Sequence, residues 1–290
     1  MKNIIQYTLV LILFLSVTAF KIYGQYPQSN RMFFQNKFGI NVAYAGELEK
    51  TRLSLVGNFT SSKIENGGNM WQQLTMDIPL GLDLSTGTRI INNSEGFMAQ
   101  QIIEQALAYR LYFSRDQTLS FGLSFGINRR TINNKNGLFP NDYVDMNDPI
   151  FSTDLLNKNN LRMEVGAVYK QEEFELSLAI PTIIQNNKTL KGITAYAGYN
   201  FYPNDDLKIT PFTLLMKTYY NNYELTTGTN VEYLEKSWLQ LGYVNSKQLL
   251  LSLGFNYYHF GLGYNYNLPL DPNFTTMITN SHQLCLYYSF

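Results

Sequence analysis

The sequence predicts an all-β protein: a transmembrane antiparallel β-barrel of about fourteen strands, preceded by an irregular, plug-like segment. Three observations support this fold class. Large apolar residues alternate with small or polar ones over most of the chain, which is the period of a β-strand. After the N-terminal apolar run no segment approaches the ~20 residues of a spanning helix, so a mature chain in a membrane must form a closed barrel. The connections between predicted strands also alternate in length.

The clearest alternation lies in residues 249–268, LLLSLGFNYYHFGLGYNYNL. Large apolar residues occupy every second position up to Tyr257, and after Tyr258 and His259 the pattern resumes one position out of phase. A slip at two residues is typical of a tight hairpin turn. One face is bulky and apolar, and the other is small and polar. In a soluble sheet the bulky face would point into a core, whereas in a membrane barrel it would face lipid.

The first 24 residues are interpreted as a secretory signal peptide. Lys2 precedes an apolar run from Thr8 to Phe20, and the small residue Gly24 comes just before Gln25. A charged start, an apolar run and a small residue at a cleavage point are the parts of such a signal. The alternative, a membrane anchor, requires a longer apolar run of ~20 residues. No cysteine follows the run, which argues against a lipid anchor.

Residues 25–50 show no sustained alternation and are predicted to be irregular. Such a segment could plug or brace one end of a barrel. The predicted organisation is therefore a signal peptide at 1–24, an N-terminal periplasmic or plug segment at 25–50, and one outer-membrane β-barrel domain at 51–290.

Strand-like segments then follow closely along the rest of the chain. Their predicted bounds are 52–59, 70–79, 82–91, 103–113, 119–127, 161–170, 174–184, 192–202, 207–220, 223–233, 238–244, 249–257, 260–268 and 282–290. The number of predicted strands is even, as in single-chain outer-membrane barrels. Segments of roughly ten residues are long enough to cross a membrane when they are tilted.

The lengths of the connections give a separate argument for a barrel. The connections after even-numbered strands are short, such as Ser114–Asp116 and Tyr258–His259. The longest connections, Asn133–Asn160 and Pro269–Asn280, both follow odd-numbered strands. If the chain starts on the periplasmic side, the short turns face the periplasm and the long loops face outward, as in outer-membrane barrels. The last strand alternates up to a terminal Phe290.

Composition excludes several kinds of partner and site. The chain has 22 Lys and Arg against 22 Asp and Glu, and no basic patch predicts a nucleic-acid partner. The single Cys285 excludes an internal disulfide framework and a cysteine-based zinc site, and no cofactor is predicted. The chain contains 22 Tyr and 19 Phe, and a Tyr excess suits side chains at a membrane–water boundary.

Two groups of residues resemble sites of chemistry. Ser281 and His282 would be needed as a pair in a barrel esterase, but adjacent strand residues point to opposite faces, so catalysis is not predicted. Asp142, Asp145 and Asp148 are spaced by three in the long loop. A calcium loop alternates its ligands around a central Gly, so a solvated loop is the preferred interpretation.

Two further patterns have a functional and a simpler structural explanation. The inward-facing charges Glu104, Arg110 and Arg52 could line a selective pore. The preferred interpretation is that they pair with one another or with a plug, a common way to fill a barrel interior. The Tyr-rich stripe at 257–266 could bind sugar, but a lipid-facing stripe explains it without further assumptions.

Several short motifs occur in a characteristic order along the mature chain. They are FFQNKFGINVAYAG at 33–46, AYRL at 108–111, LSFGLSFGIN at 119–128, NDPIF at 147–151 and LAIP at 178–181. In this order they resemble the PorP/SprF family of outer-membrane proteins of the type IX secretion system in Bacteroidetes. Val42 stands where the family has Pro, while Asn267 and Gln283 replace a customary Asp and Glu. The chain is therefore identified as a divergent member.

The resemblance implies a non-enzymatic barrel that scaffolds or anchors a secreted surface protein, in gliding species an adhesin, at the translocon. The implied partners are the type IX translocon barrel, periplasmic ring or peptidoglycan-linked proteins, a secreted protein with a C-terminal sorting domain, and outer-membrane lipid. The family-like N-terminal motif and the long loop supply the partner-binding candidates Phe34, Asn41, Tyr44, Gly46, Asp148, Pro149 and Phe151. The alternatives are a porin or hydrophobic-solute channel and a barrel enzyme acting on lipids.

Overall fold

The chain forms a closed antiparallel β-barrel around an N-terminal segment. The structure is a computed structural model, and it describes residues 30–62, 69–81, 83–95, 98–132, 159–185, 188–218, 223–270 and 278–290. Within these residues, sixteen strand segments form one sheet. The sheet closes because β1 pairs with β16 along nearly its whole length.

The strand segments are numbered β1 to β16 in chain order. Their bounds are β1 Arg52–Ser62, β2 Asn69–Pro79, β3 Leu84–Glu95, β4 Met98–Ser114, β5 Gln117–Ile132, β6 Asn159–Gln171, β7 Phe174–Gln185, β8 Lys188–Lys191, β9 Ile193–Tyr199, β10 Phe201–Asn204, β11 Leu207–Lys217, β12 Tyr223–Tyr233, β13 Ser237–Val244, β14 Gln248–Tyr257, β15 Phe260–Pro269 and β16 Ile278–Ser289.

Three of these segments belong to one crossing of the barrel wall. β8, β9 and β10 follow one another with single-residue interruptions at Gly192 and Asn200. β7 pairs with β8 and β9 on one side, while β11 pairs with β9 and β10 on the other. The sixteen segments therefore make fourteen crossings, and the predicted fourteen-strand antiparallel barrel is confirmed.

The alternation in the sequence divides the wall into two surfaces. In β14 the exposed residues are Leu249, Leu251, Leu253, Phe255 and Tyr257, whereas Leu250 and Ser252 are buried. The same alternation in β4 exposes Leu107 and Tyr109 and buries Glu104, Ala106 and Ala108, as predicted. Successive side chains of a strand point to opposite faces, so the apolar set lies outside and the polar set fills the interior.

The two ends of the barrel differ in the length of their connections. At one end, called here the short-turn end, the connections span two to four residues and include turns at 115–116, 172–173, 205–206 and 258–259. Glu172 and Tyr258 adopt positive φ angles of 50° and 52° in these turns. The opposite, long-loop end carries the two longest connections, at 133–158 and 270–277, together with short ones at 96–97, 186–187 and 245–247. The predicted asymmetry between the two ends is thus present.

Residues 30–50, called here the luminal segment, lie inside the barrel. Three short 3₁₀ helices, Phe33–Gln35, Lys37–Gly39 and Val42–Tyr44, fold this stretch into a compact shape. The Asn36 side chain accepts a hydrogen bond from the Gly39 N–H, and the Asn41 side chain accepts one from the Ala43 N–H. These side chains cap the helices, because they satisfy N–H groups that a short helix leaves without partners. The sequence predicted an irregular segment here, and the structure has one.

Among the residues that the structure describes, no helix is both long and apolar enough to cross a membrane. Residues 1–24 lie outside the described ranges, so the signal peptide stays a prediction. The same holds for the aspartates at 142, 145 and 148.

Candidate functional site

The interior of the barrel is the candidate site, because the luminal segment contacts the wall on most of its sides. Phe33 packs edge-on against Tyr196 of β9 and Phe212 of β11, with ring centroids 5.7 and 5.2 Å apart. Phe33 also stacks on Phe34 at 4.6 Å. These rings belong to one buried apolar cluster, which includes Ala106 of β4. An aromatic core of this kind holds the segment in place by burying apolar surface.

Two glycines of the wall let the luminal segment approach closely. A methyl group at Gly122 of β5 would overlap the backbone at Val42 and Ala43. A methyl group at Gly166 of β6 would overlap the Asn41 side chain. The segment therefore rests directly on the backbone of β5 and β6, and any larger side chain at either position would displace it.

Asn41 fixes the segment to β6 and β7 through its amide. Its Nδ2 group lies within hydrogen-bond distance of the Ser177 hydroxyl at 2.8 Å, the Leu178 carbonyl at 3.1 Å and the Ala167 carbonyl at 3.2 Å. Its oxygen accepts from the Ala43 N–H at 2.9 Å. The side chain is fully buried. An asparagine is suited to this position because it donates and accepts through one planar group.

A cluster of four buried charges joins three strands to the luminal segment. Arg89 of β3 lies between Glu104 of β4 and Glu164 of β6, at 2.9 and 2.5 Å, and Arg162 contacts both carboxylates. Arg89 also donates to the Gly39 carbonyl at 3.2 Å, and Glu164 accepts from the backbone N–H of Val42 at 3.1 Å. Buried charges are tolerated when they are paired and hydrogen-bonded. The predicted pairing of inward-facing charges is confirmed for Glu104.

A second charged group lies nearer the short-turn end. Glu175 of β7 accepts hydrogen bonds from Lys37, at 2.6 and 2.7 Å, and from the Tyr44 hydroxyl at 2.6 Å. Glu47 forms an ion pair with Lys170 of β6 and lies 3.7 Å from Lys37. This group ties both halves of the luminal segment to β6 and β7.

The charges of this second group shift the pKa values of the luminal residues. Burial raises the pKa of Glu47, but Lys170 and Lys37 outweigh it and lower that pKa to about 2. Burial lowers the pKa of Lys37, while Glu175 and Glu47 more than offset this and keep that pKa above its usual value. The pKa of Tyr44 is raised, by burial and by Glu175. Glu47 and Lys37 are therefore charged, and Tyr44 is neutral, near neutral pH.

A third ion pair lies near the long-loop end. Arg31 forms a bidentate salt bridge with Glu224 of β12, in which the contact between Nη2 and Oε2 measures 2.8 Å. The backbone of Arg31 is also bound, since its N–H donates to Gln283 at 2.7 Å and its carbonyl accepts from Gln240 at 3.0 Å. Both charged side chains are buried. The luminal segment is thus fixed at several heights inside the barrel.

A cavity of about 800 Å³ lies at the short-turn end, below the luminal segment. The luminal segment contributes Phe34 and Lys37 to its lining, and the wall contributes Arg52, Tyr202 and Trp238. Of the inward charges singled out from the sequence, Arg52 stacks on the Tyr287 ring at 4.1 Å. Arg110 lies 4.0 Å from Glu49. The lining therefore mixes both signs of charge with aromatic rings.

The candidate residues predicted in the N-terminal motif all lie in the barrel interior. Asn41, Tyr44 and Gly46 contact the wall itself, and the Gly46 N–H donates to Asp77 of β2 at 3.0 Å. Phe34 is half-buried and lines the cavity. The loop candidates Asp148, Pro149 and Phe151 lie outside the described residues.

Several residues that hold the luminal segment were not singled out from the sequence. They are Arg31, Lys37, Arg89, Arg162, Glu164, Glu175 and Glu224. The strand residues among them occupy inward-facing positions of the alternation, so the sequence predicts that their side chains point into the barrel. Most of their partners could not be predicted, because most pairs join residues far apart in the chain; the contact between Arg162 and Glu164, two residues apart on β6, is the exception.

The two histidines are placed as the alternation predicts. His282 of β16 faces outward, with its Nδ1 atom 2.6 Å from the Tyr264 hydroxyl. The Ser281 hydroxyl instead donates to Asn58 at 2.6 Å. His259 lies in the turn between β14 and β15. Ser281 and His282 therefore do not form a catalytic pair with each other. In the described part of the chain, no group of three His, Cys, Asp or Glu could hold a metal ion.

The fold and interior define a membrane β-barrel whose lumen is occupied by its own N-terminal segment. The family model for the type IX secretion system membrane protein PorP/SprF matches residues 22–288. Because the match spans nearly the whole chain, the protein belongs to the PorP/SprF family. No curated protein matches the chain significantly.

Solved structures with a similar fold are membrane transport barrels. The Ralstonia pickettii toluene transporter TbuX has a TM-score of 0.53 at 10% identity, covering 86% of this chain and 91% of its own. The Pseudomonas putida toluene transporter TodX has a TM-score of 0.51 at 9% identity, covering 91% of this chain and 94% of its own. At such low identity the likeness concerns the fold alone.

Proposed function

We propose that this protein is a non-enzymatic outer-membrane component of type IX protein secretion that scaffolds or anchors a secreted surface protein at the translocon. The observation that carries the proposal is the occupied lumen of a PorP/SprF family barrel. A wall whose interior is filled by buried ion pairs and aromatic packing is suited to holding position. It is poorly suited to passing solutes.

The orientation follows from the two ends of the barrel. The short-turn end, with the cavity, faces the periplasm, where ring or peptidoglycan-linked proteins dock. The long-loop end faces outward, where the connection at 133–158 meets the secreted protein with its C-terminal sorting domain. Short periplasmic turns and longer extracellular loops are the usual arrangement of outer-membrane barrels. The wall contacts outer-membrane lipid and the translocon barrel.

The proposed contact with the secreted protein lies in the NDPIF motif of the long loop. A variant carrying Asp148→Ala, Pro149→Ala and Phe151→Ala removes the acidic, rigid and aromatic groups of that motif. The matched control is Asn134→Ala with Lys135→Ala, in the same loop but outside the motif. Tagged proteins are purified from native membranes in mild detergent, and copurifying proteins are identified by mass spectrometry.

The expected result is that the wild-type protein and the control retain translocon components and one large secreted protein. The motif variant should retain the translocon and lose most of the secreted protein. A wild-type protein that purifies alone would contradict the scaffold as a stable complex. Equal recovery of the secreted protein by both variants would show that the motif does not contribute to the contact with the secreted protein.

The second candidate function is a transport channel for small hydrophobic solutes. The cavity of about 800 Å³ at the short-turn end favours it, since a solute path needs an opening of that kind. TbuX and TodX, which share the fold, are described as toluene transporters. A channel would require the luminal segment to move. Steady single-channel conductance of the purified wild-type protein in planar bilayers would favour this function over the scaffold.

A further inference from the structure

The outward face of the barrel wall carries Lys and Arg but no carboxylate. Within the strands that the structure describes, the register places Arg129, Lys191 and Lys217 on this face, and it places no Asp or Glu there. These positions alternate with buried, inward ones, such as Asn128 beside Arg129 and Leu214 before Lys217. The interior, in contrast, contains both signs of charge in paired form. The one-sided charge of the outer face therefore indicates an anionic partner outside the barrel.

All three cations lie toward the long-loop end of the barrel. β5 ends at Ile132, shortly after Arg129, and Lys217 is the last residue of β11. Lys191 ends β8, the short segment that follows the connection at 186–187. A charge on the lipid-facing surface of a barrel is costly at the bilayer midplane and costs little near the membrane–water boundary. The three positions therefore belong to the boundary region at this end.

Arg129 lies at the edge of a groove in the outward surface of β2 to β5. The groove has a volume of about 380 Å³, and its lining includes the paired outward residues Gln72, Asn92, Gln101 and Arg129. The Gln101 amide donates to the Asn92 side chain at 3.1 Å, and both side chains are exposed. Among the described residues, no carboxylate forms an ion pair with Arg129, which is itself exposed. The groove thus combines one uncompensated cation with neutral amide donors.

The surface on the short-turn side of the groove is apolar. Ile103 of β4 and Ile127 of β5, paired with each other, are the next outward residues, and both are exposed. Further along β4, the exposed Tyr109 marks the opposite boundary, where aromatic side chains collect. At strand rise and usual tilt, the path from Gln101 to Tyr109 covers about 20 Å of height, close to the ~25 Å of an apolar band. The groove therefore lies at the level of lipid head groups, above an acyl-chain surface.

We propose that the outward cations bind the phosphate groups of a phosphorylated glycolipid in the outer leaflet, with the groove at Arg129 as the main binding site. The charge of the site is complementary to phosphate, and a guanidinium group beside amide donors suits phosphate oxygens. The height of the groove places the head group at Arg129 and the acyl chains on Ile103 and Ile127. The inference rests on the orientation proposed above, in which the long-loop end faces outward.

The test measures lipid binding by the purified full chain in detergent. The test variant combines Arg129→Gln, Lys191→Gln and Lys217→Gln. The matched control combines Arg115→Gln, Lys50→Gln and Lys236→Gln, which removes the same residue types from exposed positions at the short-turn end. Native mass spectrometry follows the fraction of protein with bound lipid as lipid A carrying two phosphates is added. The same titration is made with dephosphorylated lipid A, and heat-modifiable mobility reports correct folding.

The wild-type protein and the control should bind phosphorylated lipid A with equal affinity. Arg129→Gln alone should weaken binding about fivefold, which is the contribution of one Lys or Arg beside an anionic membrane surface, and the test variant should weaken it further. Dephosphorylated lipid A should bind the wild-type protein as weakly as phosphorylated lipid A binds the test variant. Because the purified protein is used alone, the result does not depend on whether a secreted protein copurifies.

Four results would overturn the lipid site. They are wild-type affinity in the folded test variant, an equal loss of affinity in the short-turn control, equal affinity of the wild-type protein for the two forms of lipid A, and displacement of the lipid by inorganic phosphate at millimolar concentration. The last result would show a site for free anions, in which the acyl-chain surface at Ile103 and Ile127 contributes nothing.

Discussion

At the scale of single residues, the interior of this barrel is held by carboxylates that each serve two purposes. Glu164 neutralises Arg89 and accepts from the Val42 N–H, and Glu175 neutralises Lys37 and accepts from Tyr44. The partners of Glu164 belong one to the wall and one to the luminal segment, whereas Glu175 is a wall residue whose two partners both belong to the luminal segment. The barrel and its contents therefore share the same electrostatic network, and a change in either affects both.

Glu164→Ala tests how strongly this network stabilises the protein. The substitution removes one of the two carboxylates that contact Arg89 and Arg162, and it removes the acceptor for the Val42 N–H. Breaking a buried pair by removing one partner costs about 3 to 5 kcal/mol. The matched control is Glu232→Ala, whose pair with Lys208 is half-exposed and contributes about 0 to 1 kcal/mol. Equilibrium unfolding in urea after refolding into detergent measures both, and equal losses for the two variants would contradict the assignment.

At the scale of elements, the luminal segment depends on the absence of side chains on β5 and β6. The sequence places Gly122 in a clean run of alternating residues, where small inward residues are expected. It does not reveal which glycines face another part of the chain. The structure makes that distinction, since Gly57 of β1 has only the Phe59 ring nearby, at 3.4 Å.

Gly122→Ala is expected to loosen the luminal segment, because the new methyl group overlaps the backbone of Ala43. Overpacking of this kind costs about 1 to 3 kcal/mol. Gly57→Ala makes the same chemical change without the clash and serves as the control. Limited trypsin digestion followed by mass spectrometry should show faster cleavage after Lys37 in Gly122→Ala only. Identical cleavage rates in the two variants would mean that the segment does not rest on β5 as described.

At the scale of the whole molecule, stability should depend on pH through the charges near the short-turn end. Glu47 has a pKa of about 2 in the folded protein against an ordinary value of 4.5. Its stabilising effect is complete above pH 4.5 and is lost as the pH falls toward 2, since the unfolded chain takes up its proton first. The shift corresponds to at most about 3 kcal/mol.

Thermal unfolding of the wild-type protein and Glu47→Gln, followed between pH 7 and 2.5, measures this dependence. The wild-type protein should be more stable at pH 7, and the difference should shrink steadily below pH 4.5. A difference that stays constant over this range would show that Glu47 is not ion-paired in the folded protein.

The sequence predicted the class of fold, the number of crossings and the orientation of side chains, because each rests on the local period of two. The hairpin turn at Tyr258–His259 and the outward face of β4 are examples. It predicted an irregular segment at 25–50 but not its contacts. The pairs Arg31–Glu224 and Lys37–Glu175 join residues brought together only by closure of the sheet. No local pattern encodes such distances.

The pairing of β1 with β16 also constrains the order in which the molecule is assembled. The seam joins the two ends of the domain, so the cylinder cannot be completed until the last dozen residues have been made. The luminal segment precedes β1 and contacts β2, β7, β12 and β16. Such a segment is enclosed without threading only if it already lies on the open sheet when the seam forms.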